Sequence, residues 1–194
     1  MEVKQIKSKE RVKELAEVYT NEREVNAMLD LVNESAINIY SKFLEPACGN
    51  GNFLVKILER KIKTVAEKYK NEEEYMFYSL KALSCIYAID ICPENVQESR
   101  ERLLNEIINY YELFFNDFID TDYINAAKYI LERVIIKGNT LEPTNEMIFS
   151  DFEISDNYSF IEKRYYFIDL YKEDNKPFDI IEVKKWRLLK WNLT

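Results

Sequence analysis

The residues best suited to chemistry lie in one short run, Glu45-Pro46-Ala47-Cys48-Gly49-Asn50-Gly51-Asn52-Phe53, with Asp90-Ile91 and Gly138-Asn139 further along. The whole chain has only 3 glycines, where average usage would give about 14. Gly49 and Gly51 stand between an apolar segment and an amphipathic one, where a side chain would obstruct the backbone. A glycine turn that opens a helix leaves backbone N–H groups free and carries partial positive charge, which fits a carboxylate or a phosphate. It fits a tight turn with no ligand as well, because a lone Gly-x-Gly is a weak signal.

Two features separate the ligands such a loop could take. The third glycine of a dinucleotide fingerprint is replaced by Leu54. Glu45 precedes the loop, and a carboxylate there repels a pyrophosphate but attracts an ammonium, directly or through water. S-adenosylmethionine has an α-ammonium and an α-carboxylate; NAD has neither. Asp90 ends the apolar run Cys85-Ile86-Tyr87-Ala88-Ile89, where an acid can accept both hydroxyls of a ribose or simply cap the helix that Pro93 opens. Ile91 offers an apolar face to a purine. Asn139 can bond the adenine edge through its amide, or serve as a turn residue.

The elements that must hold these residues follow from periodicity. Val12, Leu15 and Val18 predict a helix over 8–18, and Val25, Met28, Leu29 and Val32 another over 21–33 with Asn21 as its N-cap. Lys42–Glu45 reads as a strand, and Phe53 to about Lys70 as a helix with Leu54, Ile57, Leu58, Ile62 and Val65 on one stripe. Cys85–Asp90 has the pattern of a parallel strand buried on both faces. The helix from Pro93 continues through Val96, Leu103, Leu104, Ile107 and Ile108. Val134–Ile136 and Phe178–Ile181 read as third and fourth strands, with an aromatic-rich hairpin over 147–171. The order predicts an α/β doubly wound, Rossmann-like sheet with helices on both faces. We divide it into N-terminal helices (1–41), a core (42–146), a hairpin insert (147–177), and a last strand and tail (178–194).

At 194 residues, 47% hydrophobic and 32% charged, the chain suits one globular domain. It has no apolar run of membrane-spanning length and no signal-like start, so a soluble cytoplasmic protein without membrane contact is expected. With no histidine, Ser-His and Cys-His catalysis and imidazole metal sites are excluded. Cys48, Cys85 and Cys92 have no metal-binding spacing and leave an odd thiol, so no metal and reduced cysteines are expected. The net charge of -8 argues against tight DNA binding by this chain alone. The basic stretch Lys184, Lys185, Arg187 and Lys190, interleaved with Trp186 and Trp191, reads as a contact segment or a solvated, aromatic-anchored tail.

These segments, in order, resemble the adenine-specific, amino-group DNA methyltransferases of restriction–modification systems. The resemblance runs over about residues 18–181 and is most specific at Phe43–Leu54. It includes Val18-Tyr19-Thr20, Tyr87-Ala88-Ile89-Asp90 with Pro93-Glu94-Asn95-Val96, and Ile136-Lys137-Gly138-Asn139-Thr140-Leu141, where Asn139 replaces the family's aspartate. Ile148-Phe149-Ser150-Asp151-Phe152, with Arg164 and Phe167, is similar to a stretch in some members. The family's fold is a seven-stranded sheet. The resemblance implies an S-adenosylmethionine site made of Thr20, Glu45, Pro46, Ala47, Cys48, Gly49, Asn50, Gly51, Phe53, Asp90, Ile91, Asn139 and Leu141. Thr20 and Glu45 would face the methionine, Asp90 the ribose, and Ile91 and Asn139 the adenine.

The family's catalytic Asn-Pro-Pro-aromatic loop, which accepts from the target amino group and stacks on the flipped base, is missing after the fourth strand. Asn175-Lys176-Pro177-Phe178 is a partial match on the wrong side of that strand. We therefore expect an incomplete methyltransferase sheet whose activity needs a partner polypeptide, or a homo-oligomer, for DNA. The alternatives are an inactive S-adenosylmethionine-binding interaction module and a small-molecule methyltransferase, for which positioning alone can suffice.

Overall fold

The computed structural model describes residues 20–115, 119–155, 158–170, 172 and 174–183. The helix expected over 8–18 and the basic stretch from Lys184 lie outside the described residues. The chain enters through α1 (Glu22–Asp30) and α2 (Asn33–Ile37). Asn21 caps α1 as its type and position require, accepting from the Glu24 amide at 3.0 Å.

Strand β1 (Phe43–Glu45) leads through the glycine loop into α3 (Asn52–Lys68), α4 (Glu72–Leu83) and β2 (Ile86–Asp90). Helices α5 (Pro93–Phe115) and α6 (Thr121–Val134) then return the chain to β3 (Ile135–Lys137). The three strands are parallel in the order β1-β2-β3, with Phe43 opposite Ile86 and Ala88 opposite Ile135. Helices α4 and α6 were not expected. Asn71 and Asp120 cap them, but α4 buries Tyr75, Met76, Phe77, Ser79, Leu80, Lys81, Ala82 and Leu83. A helix buried on nearly every side has no amphipathic stripe to read.

The strand pleat sends Ile86, Ala88 and Ile135 into a core with Leu54, Leu58, Leu103, Ile107, Ala127 and Ile130. On the other face, Ile89, Ile136 and Tyr87 meet Met147, Phe149 and Phe167. The expectation of helices on both faces is thus corrected among the described residues. Two successive right-handed crossovers in one direction place their helices on one side. The opposite side is covered by Met147, a second sheet and a short 3-10 turn, Phe167–Asp169. Nor does the order β1-β2-β3 contain a reversal, so the described residues form no topological switch point beside Asp90.

The second sheet contains the expected hairpin, β4 (Ile148–Ser155) and β5 (Ser159–Tyr166), joined by β6 (Asp179–Val183). All pairings are antiparallel in the order β4-β5-β6, with Arg164 opposite Asp179. The segment Phe178–Ile181, expected as a fourth parallel strand, instead belongs to the hairpin's sheet. Ile180 is 61% exposed, which an edge strand with one solvated face permits and a parallel strand covered on both faces does not. Hairpin and last strand therefore form one three-stranded sheet.

Phe152 and Phe160 fix this sheet to the helices, Phe160 stacking on Phe77 with centroids 4.6 Å apart. Buried Glu162 adds a polar tie. It accepts from Ser150 Oγ at 2.5 Å and Tyr129 Oη at 2.6 Å, and pairs with Arg133 and Arg164. Among the described residues, no helix is long and apolar enough to cross a membrane.

Candidate functional site

The glycine loop is anchored to β2 and closed by a turn of its own. The Cys48 amide donates to the Ile89 carbonyl at 2.9 Å, and the Gly51 amide closes a turn onto the Cys48 carbonyl at 2.9 Å. Gly49 and Gly51 have φ of 53° and 82°, and Gly51 is the N-cap of α3. A Cβ on Gly51 would lie 2.8 Å from Ser99 Oγ and 3.3 Å from Ser99 Cα. Both the left-handed conformation and the close approach therefore require glycine.

The partner in that close approach is the N-terminal half of α5. Asn95, Ser99 and Arg102 fall on one face of the helix. Ser99 Oγ donates to the Gly49 carbonyl at 3.1 Å. Arg102 donates to the Asn50 carbonyl at 2.6 Å and to Asn52 Oδ1 at 2.9 Å. Asn95 Nδ2 reaches Asp90 Oδ1 at 3.3 Å. This polar ladder, absent from the sequence-based site, ties the loop to α5. Its signal was present as polar residues recurring at helical spacing within an otherwise apolar-striped helix.

Asp90 is 8% exposed. Its Oδ2 accepts from the Gly49 amide at 2.8 Å and its Oδ1 from the Cys92 amide at 2.8 Å. In this arrangement the carboxylate clasps the loop to the turn entering α5. That is an Asx turn combined with a loop clasp, and it uses part of the carboxylate's roughly four acceptor sites.

A small pocket of about 110 Å³ opens beside the loop, lined by Thr20, Glu45, Ala47, Cys48, Gly49, Asn50, Asn52 and Phe53. The Thr20 carbonyl accepts from Asn52 Nδ2 at 2.9 Å, drawing the chain before α1 over it. Burial raises the Glu45 carboxyl above its ordinary value, offset in part by the Ala47 amide. Burial likewise pushes the Cys48 thiol up to about 12, so it is an inert wall rather than a nucleophile. Asn50 Oδ1 is buried with no hydrogen-bond partner, an open acceptor at the site.

The remaining residues from the sequence-based site lie outside this lining. Pro46 is exposed, and its carbonyl accepts from Thr140 Oγ1 at 2.7 Å, which brings the loop after β3 alongside. Ile91 is 55% and Leu141 91% exposed. Asn139 folds onto its own turn, Oδ1 accepting from the Leu141 amide at 3.1 Å. Comparisons of this chain with protein-family models, with curated proteins and with solved structures gave no match.

Proposed function

We propose that the chain is the S-adenosylmethionine-binding part of a Rossmann-like DNA adenine methyltransferase whose methyl transfer is completed by a partner polypeptide. The observation that carries this reading is the pocket at the β1–α3 glycine loop, which gathers Thr20, Glu45, Ala47, Cys48, Gly49, Asn50 and Phe53. Its chemistry fits the amino-acid end of that cofactor. Glu45 is an acid for an ammonium, Asn50 Oδ1 is an acceptor in want of a donor, and the start of α3 favours a carboxylate. The volume accommodates only that end, so the adenosine would lie over the open side towards Ile91 and Asn139. The bound cofactor would supply an electrophilic methyl group. The chain's own residues hold and orient it, with the α5 ladder fixing the loop.

Calorimetric titration with S-adenosylmethionine and its demethylated product tests the reading. Saturable heat and a raised melting temperature are expected, with displacement by neither NAD nor NADP. Preferential displacement by NAD would turn the reading to a dinucleotide site. Tritiated-methyl transfer to mixed genomic DNA should be absent with this chain alone, which has a net charge of -8 and no amide–proline–proline–aromatic loop. Robust transfer by the chain alone would remove the partner from the proposal and make Asn175–Phe178 the first segment to mutate.

A further inference from the structure

A second and larger cavity, about 400 Å³, lies where the two sheets meet, beside the outer edge of β1. It is lined by Tyr87 from β2, Phe149 from β4 and Tyr165 from β5, with Phe43, Leu44 and Leu170 around them. Its size is that of a small-molecule site. Tyr87 and Phe149 are packed edge to face with centroids 5.5 Å apart, and Phe149 and Tyr165 are register partners across the hairpin.

One full charge pair belongs to this aromatic wall. Asp151, only 13% exposed, accepts the Lys42 ammonium at 2.6 Å, while the Lys42 side chain is 53% exposed. The other carboxylate oxygen accepts from Tyr87 Oη at 3.1 Å. Two further cations act on Asp151: Lys81, which donates to the Phe152 carbonyl, and Lys163, the cross-strand partner of Asp151, which pairs with Glu153 at 2.6 Å. A largely buried carboxylate next to aromatic rings is the composition that recognises organic cations. Here a half-exposed ammonium from the chain itself occupies the carboxylate and stands in for such a cation.

We propose that this cavity binds a small methylated or quaternary ammonium, which displaces Lys42 from Asp151 and sets its methyl groups against Tyr87, Phe149 and Tyr165. This site stands without the reading of the glycine loop, since it uses none of that pocket's residues. The test is titration of the whole chain with choline and with its uncharged carbon isostere, in which a tert-butyl group replaces the trimethylammonium. Choline should bind at least roughly tenfold tighter than the isostere, the scale of a desolvated cation–π contact. Lys42→Met, which removes the internal competitor, should tighten choline several-fold, and Asp151→Asn should reduce the preference to what the rings alone supply. Equal binding of the two ligands would identify a plain apolar cavity and overturn the proposal. So would weaker choline binding in Lys42→Met, or saturation by neither ligand. Should Asp151→Asn fail to fold, the isostere comparison and Lys42→Met decide alone.

Discussion

The two cavities differ in how they are built. The glycine-loop pocket comes from nearly contiguous residues, 45–53 plus Thr20, and its shape is imposed by backbone hydrogen bonds and the α5 ladder. The aromatic cavity is assembled from side chains of β1, β2, β4 and β5 and closed by packing. A site made of backbone is sensitive to any change in φ and tolerates little substitution. A packed site responds to side-chain volume and charge. The same protein thus presents one rigid pocket and one adaptable one, and the variants below separate them.

The largest effect is expected from Gly51→Val. At φ 82° a branched side chain is strained, and its Cβ would press on Ser99, backbone included. The combined cost is about 3 kcal/mol of stability. Binding of S-adenosylmethionine should be lost, while choline binding at the aromatic cavity should persist in whatever fraction remains folded. Thermal denaturation with both titrations checks this. Loss of both ligands from a folded variant would show that the two regions are not independent.

Asp90→Ala comes next. It removes the acceptor of two backbone amides, those of Gly49 and Cys92, and leaving such donors unpaired costs about 2–3 kcal/mol. Asp90→Asn keeps an acceptor and should recover part of that loss. If Asp90 acts as a clasp, the binding defect of Asp90→Ala should shrink when the loop is stabilised by osmolyte. If it contacts the ribose, the defect should be the same under every stabilising condition.

The contrast also accounts for what could be read in advance. The β1–loop–α3 unit was legible because two of the chain's 3 glycines sit between an apolar and an amphipathic run. Asn21, β2 and the hairpin were legible for equally local reasons. The role of Asp90 was not, because a clasp and a ribose acceptor need the same residue at the same position, and the Gly49 and Cys92 contacts appear only in the fold. Phe178–Ile181 misled because an apolar tetrapeptide carries no record of which sheet accepts it; the pairing of Arg164 with Asp179 decides that over a long sequence separation. The aromatic cavity was not legible as a site, since Tyr87, Phe149 and Tyr165 stand in separate segments that meet only in the fold.

Lys61, beside the aromatic cavity, gives the smallest and most specific prediction. It projects from α3, fully buried, and donates to the Asn38 carbonyl at 2.5 Å and the Ser41 carbonyl at 2.8 Å. Its ammonium lies 5.4 Å from the centroid of Phe43, a ring that also lines the aromatic cavity. Burial pulls this ammonium from its ordinary 10.5 down to about 8. Between those values the unfolded chain holds a proton that the folded chain has released, so this contribution makes stability rise with pH and is lost as pH falls through 8. Cys48 works the other way: with its thiol raised from 9.0 to about 12, its contribution is complete below pH 9 and declines above it. The window in which Lys61 acts unopposed by that thiol is therefore pH 8 to 9. Urea denaturation across it should give a gain of about 1 kcal/mol, absent in Lys61→Met. That variant should be less stable throughout, because the Asn38 and Ser41 carbonyls lose their donor. An unchanged slope in Lys61→Met would mean that the ammonium stays charged in the fold, held by its two carbonyls and the Phe43 ring.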